Sequence, residues 1–187
     1  MKNKQQKLTF SALPMFAHGK NLRSVSPYHW KGVRQGLLKE KGCCCEICGA
    51  TPLNEKDQRN FHGHEEWEFD LENHVLILKD IRVICHLCHQ TDHIGLLQLK
   101  LKDGRITKEQ YNQVFQHYAD VNGITFQQAK TDYLKSSLEW IKRQNEYDPT
   151  LNHAEWKYRL DCNFPNKDKI EKTLKEKDLL FEERGDQ

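Results

Sequence analysis

The chain has 187 residues, 37% of them hydrophobic and 10% aromatic, which is enough to bury one core and too much for a disordered chain. Net charge is only +2, yet residues 1–42 hold nine Lys/Arg against Glu40 alone, so the remainder sums to −6. No apolar run approaches the roughly 20 residues that span a bilayer, and the start is polar, so we expect a soluble, cytoplasmic protein without a membrane partner.

The basic start, residues 1–42, reads as a segment that contacts phosphates, with Lys31 and Arg34 as candidate nucleic-acid contacts. A solvated basic tail is the alternative. From Pro27, the spacing of Trp30, Val33, Leu37 and Leu38 predicts a helix that ends at Gly42 and leads into the first cysteine motif. Residues 49–60 read as a loop. Phe61 to Phe69 reads as a strand, with Phe61, Gly63, Glu65, Trp67 and Phe69 on one side and His62, His64, Glu66 and Glu68 on the other.

After a turn at 70–73, the Val/Ile/Leu-rich stretch Val75 to Ile84 predicts a second strand that pairs with the first and ends at Cys85. A helix should emerge from the second cysteine motif toward Leu99, although Gly95 disfavours it. Strand, strand, helix is therefore the expected order of the core. Thr107-x-x-Gln110 and Thr125-x-x-Gln128 have the form of capping boxes and predict helices over 107–121 and 125–145. A short strand near 156–160, a turn at 163–166 and a charged helix over 167–183 complete the reading. The fold class expected is α+β, a small zinc core embedded in flanking helices.

Cys45-x-x-Cys48 and Cys85-x-x-Cys88 are two metal knuckles. An odd total of seven cysteines fits poorly with a paired disulfide framework, so zinc is the better reading of this spacing. The 36 residues between the knuckles must hold an inserted unit, here the two strands. Only Cys45 is in register with Cys48, which leaves Cys43 and Cys44 as packing or spare thiols. Cys162 reads as a small buried hydrophobe. His89 and His93 stand four apart, a spacing that puts both on one helix face, directly after the second knuckle. With His62 and His64 on one strand face, they suggest a second ion beside the four thiolates. His86 would shield sulfur or face solvent, and His117 has no assigned role.

The run Cys45-Glu-Ile-Cys48-Gly49, then Gly63-His64-Glu65, then Asp80-Ile-Arg-Val-Ile-Cys85-His-Leu-Cys88-His89 and His93, resembles the HNH endonucleases of the zinc-knuckle type. The resemblance covers about residues 43–97. It implies a ββα-metal core, treble-clef-like, flanked by the basic segment 1–42 and a mainly helical region 98–187 that it does not explain. It further implies that Cys45, Cys48, Cys85 and Cys88 hold structural Zn²⁺. His89 and His93 would serve a catalytic divalent ion (Mg²⁺, Mn²⁺, Ni²⁺ or Zn²⁺), with His64 as general base or metal ligand. Two positions depart from the family. Glu65 follows His64 where a second His is common, and Asp80 replaces the Asn that orients the base; both are carried as catalytic candidates.

The activity implied is hydrolysis of nucleic-acid phosphodiester bonds, DNA favoured, in restriction, phage defence or a mobile element. Residues 43–90 carry nine Asp/Glu against four Lys/Arg, a local charge that an ion and the basic segment must offset. Arg82 could contact a phosphate or simply face outward. The alternative reading is an inactive zinc module that binds nucleic acid or protein. A weaker third is a thiol redox protein using Cys43 to Cys45. Oligomeric state is not legible in the chain.

Overall fold

The structure is a computed structural model that describes residues 7–182; Lys2 and Lys4 of the basic start lie outside them. In chain order the elements are α1 (Leu22–Val25), α2 (Pro27–Glu40), β1 (Phe61–Asp70), β2 (Val75–Cys85), α3 (His86–Asp92), α4 (Ile94–Lys102), α5 (Lys108–Asn122), α6 (Phe126–Glu146), β3 (Lys157–Leu160) and α7 (Lys167–Glu176). Short 3-10 turns stand at Met15–Ala17, Glu55–Asn60 and Pro149–Asn152. The chain is mixed α and β, with a three-stranded sheet in the order β1-β2-β3. Among the described residues no helix is long and apolar enough to cross a membrane.

The chain divides into two units. Among the described residues, one holds 7–14, Cys43–His62 and Ile84–Glu146; the other holds Met15–Gly42, Gly63–Val83 and 147–182. In the first unit α5 packs on α3, α4 and α6. Thr107 and Gln110 cap α5 reciprocally, and Thr125 and Gln128 repeat the arrangement at the start of α6, each satisfying helix N–H groups that have no partner within the helix. The expected single helix after Cys88 is two, α3 and α4, parted at His93, which lies outside helical geometry at φ −107° and ψ 33°.

The basic start is not a free arm over its whole length. Leu8 and Phe10 are buried in the first unit. The Phe10 ring stacks on Tyr118 at 4.1 Å and meets Phe115 and Tyr133 at 5.5 and 5.4 Å. Backbone carbonyls of this segment are also held, Leu8 by Asn122 (3.0 Å), Phe10 by Ser136 (2.7 Å) and Leu13 by Trp140 (3.0 Å). Two apolar side chains among lysines gave too little periodicity to reveal this.

The second unit is built around β2, whose Val75, Leu76, Ile77, Leu78, Ile81 and Val83 are all buried. β3 pairs with it in parallel, Val75 opposite Lys157 through Leu78 opposite Leu160. Neither this partnership nor its direction was legible from 156–160 alone. α2 buries Val33 and Leu37, as its spacing predicts, and Gly42 beyond it takes φ 78°. Phe16 stacks on Trp156 at 4.7 Å and meets Phe69 edge-on at 5.4 Å. α7 is shorter than expected, because Leu179–Phe181 returns along β3: the Tyr158 amide donates to the Leu179 carbonyl (2.7 Å) and the Phe181 amide to that of Tyr158 (2.9 Å).

Candidate metal centre

Among the described residues, Cys45, Cys48, Cys85 and Cys88 of the first unit form a group that could hold a metal ion. Each offers one ligand atom, and these atoms lie within 4.8 Å of one another.

The thiol group is assembled by two local devices. In the first knuckle the Gly49 amide donates to the Cys45 carbonyl (2.9 Å) and the Cys45 amide to the Ala50 carbonyl (2.8 Å), folding the chain back around Cys48. Gly49 adopts φ 75°, a left-handed conformation that costs a residue with a Cβ about 1–2 kcal/mol. In the second knuckle Cys85 is the N-cap of α3, and its sulfur accepts from the Cys88 amide at 3.5 Å. Cys45, Cys85 and Cys88 are buried and Cys48 half-buried.

The Sγ atoms of Cys48 and Cys85 are 3.7 Å apart. A tetrahedron with Zn–S bonds of about 2.3 Å has edges of roughly 3.8 Å, so this separation suits zinc. Crowded thiols titrate far from their usual range. Cys45 first, then Cys85 and Cys88, donate to Cys48 and hold its thiol well below normal. Cys88, which donates to Cys45, Cys48 and Cys85, is pushed far up. Four thiols this close keep some protons that only a cation can displace, and the four cysteines could hold a structural ion such as zinc. Cys44 is exposed and its sulfur turns to the Gly49 carbonyl at 3.6 Å; Cys43 and Cys162 are half-buried.

One participant was missed. His117, on α5, puts Nε2 3.2 Å from the Cys88 sulfur and 4.0 Å from that of Cys85. It stands 29 residues beyond Cys88 in a helix of ordinary composition, where no spacing rule picks it out.

Beside the thiols in the first unit runs a series of imidazoles. The His62 ring stacks on His89 at 4.5 Å and His89 meets His93 edge-on at 4.5 Å. His86 Nδ1 lies 3.4 Å from His62 Nε2, so His86 pairs with another imidazole instead of a sulfur. Burial, and then the charge of Lys100, lowers the pKa of His93, which favours the neutral ring that a metal or a proton requires. His64 lies two residues along β1 from His62, on the same side of the strand by alternation.

Other expected participants are occupied elsewhere, within the second unit. Glu65 faces the opposite side of β1, where Oε1 accepts from the Leu22 amide and Oε2 from the Trp67 indole, both at 3.0 Å. The residue keeps some surface, yet its carboxyl group is enclosed, and burial pushes its pKa up to about 7 against the pull of those hydrogen bonds. It anchors the start of α1. Asp80 Oδ1 accepts from the Ile81 amide at 2.8 Å and lies 3.6 Å from the Lys41 ammonium; these partners are not the imidazole its expected orienting role requires. Arg82 pairs with Glu66, and its side chain is only 14% exposed. Lys31 is exposed on α2 and Arg34 half-buried.

Comparison with known proteins adds no relative: no family model, no curated protein and no solved structure matches this chain.

Proposed function

We propose that the chain is a metal-dependent endonuclease of the HNH type, with β1, β2 and α3 as its ββα-metal unit. The observation that carries this reading is the series of imidazoles His62, His86, His89 and His93 in the same unit as a complete set of four zinc-type thiols. A purely structural zinc module has no use for those imidazoles.

In this reading His89 and His93 ligate a divalent ion through neutral ring nitrogens. The ion, when bound, supplies electrophilic stabilisation of the charge that grows on the phosphate and the departing oxygen. His64 takes the proton from the attacking water, whose oxygen bonds to phosphorus as the phosphorus–oxygen bond to the leaving sugar breaks; solvent returns a proton to that sugar oxygen. His62, stacked on His89, fixes the plane of that ring. Residues in the basic segment, Lys31 and Arg34 among them, would draw the polyanion toward an acidic core, and binding should weaken as salt rises.

The test is cleavage of supercoiled plasmid by zinc-loaded protein in Mg²⁺, Mn²⁺ or Ni²⁺. His64→Ala should lower the rate by roughly 10²–10⁴-fold with little change in melting. If no ion supports cleavage that depends on His64, the proposal fails. A second reading, an inactive zinc module, draws on the partners that Glu65 and Asp80 already hold, the Leu22 amide and Trp67 indole for the first and the Lys41 ammonium for the second. Salt-sensitive DNA binding without turnover would select it.

A further inference from the structure

We propose that His117 belongs to the zinc centre as a hydrogen-bond donor to sulfur, with Nε2–H directed at the Cys88 thiolate. An ion held by four thiolates carries a formal charge of −2, and here Cys45 and Cys88 are only 2% and 0% exposed. A buried net charge without compensating donors is costly. The backbone supplies such donors, the Cys88 amide to the Cys85 sulfur at 3.5 Å and the Cys48 amide to the Cys45 sulfur. The Nε2 of His117 lies closer, 3.2 Å from the Cys88 sulfur.

Two arguments fix the direction of that contact. A metal-bound thiolate has no proton to give, so only the imidazole can donate, which selects the Nε2–H tautomer. Four cysteines suffice for a tetrahedral zinc site, and their sulfurs lie within 4.8 Å of one another with Cys48–Cys85 at 3.7 Å, which leaves His117 outside the ligand set. The contact joins α5 to the metal. The region after residue 97, which the nuclease resemblance does not explain, is thereby tied to the knuckles through one side chain. This inference does not depend on the nuclease reading.

The test uses the full chain loaded with zinc, or with cobalt as a spectroscopic substitute, comparing wild type, His117→Phe and His117→Gln. His117→Phe should lose metal to a competing chelator with affinity weakened roughly 10–100-fold. His117→Gln, which keeps an N–H donor, should recover part of that loss. The sulfur-to-cobalt charge-transfer bands should shift in His117→Phe while the ligand-field bands of a four-sulfur site persist. Nitrogen NMR of zinc-loaded wild type should show Nε2 protonated, a measurement that stands even if His117→Phe does not fold. An unprotonated, metal-shifted Nε2, a nitrogen ligand lost from the cobalt spectrum of His117→Phe, or unchanged chelator competition would each overturn the proposal.

Discussion

Glu65 shows how much a single side chain's meaning depends on its surroundings. Beside His64 it reads as half of a catalytic pair, but strand alternation sends the two to opposite sides of β1, and Glu65 meets Leu22 and Trp67. Its raised pKa carries a sign. Between about 4.5 and about 7 the folded protein holds a proton on Glu65 that the unfolded chain has released, so stability from this group is full below the lower value and is lost as pH rises through the upper. At about 1.4 kcal/mol per unit, the loss reaches on the order of 3 kcal/mol. Urea unfolding at pH 5 and pH 8 should show this fall in wild type and not in Glu65→Gln, which does not titrate. The variant should be weaker than wild type at pH 5 by about 1–3 kcal/mol, because its amide cannot accept from both donors, and this deficit should vanish or reverse by pH 8. Parallel pH curves for the two proteins would refute the assignment. His117 makes the same point in reverse, an unremarked helical residue that acquires a role only because folding sets it against Cys88.

α2 illustrates what spacing reveals about an element and what it leaves out. The positions of Val33 and Leu37 predict the buried face, and both are buried. The same helix carries two glycines, and a Cβ built at Gly36 would fall 2.4 Å from Pro165 Cβ, while one at Gly32 would fall 2.4 Å from the Asn166 amide. They form a groove into which the turn before α7 is pressed. Gly36→Ala should therefore destabilise by about 1–2 kcal/mol, the overpacking cost exceeding the helical preference for alanine. Gly95→Ala in α4, where nothing stands within 4 Å, should instead stabilise by about 0.5–1 kcal/mol. Thermal or urea unfolding of both variants checks the contrast; equal effects would mean the groove does not exist. The strands and capped helices were legible because alternation, β-branched runs and Thr-x-x-Gln boxes act over a few residues. The parallel partner of β2 was not, since four residues at 157–160 say nothing about which strand they will meet.

Across the chain, stability should hinge on metal more than on hydrophobic area alone. Cys45 and Cys48 lie 37 or more residues before Cys85, and an ion shared among the four cysteines would close that loop. Structural zinc contributes apparent binding energies on the order of 10 kcal/mol or more, comparable to the whole stability of a domain. Chelation, or Cys85→Ser, should abolish the cooperative melting transition of the zinc-loaded protein, seen by circular dichroism. Cys44→Ser, at an exposed thiol outside the group, should melt like wild type. If Cys85→Ser and Cys44→Ser behave alike, the four cysteines are not a metal centre.

The linear chain was sufficient for the two knuckles, the strand order around them and the capped helices, because each depends on residues a few positions apart whose spacing fixes their geometry. Folding decided the rest, because which group meets Glu65, Arg82, Cys88 or Phe10 is a matter of packing between residues 16 to 126 positions apart. No local pattern encodes those encounters; they arise only when burial of the core brings the segments together.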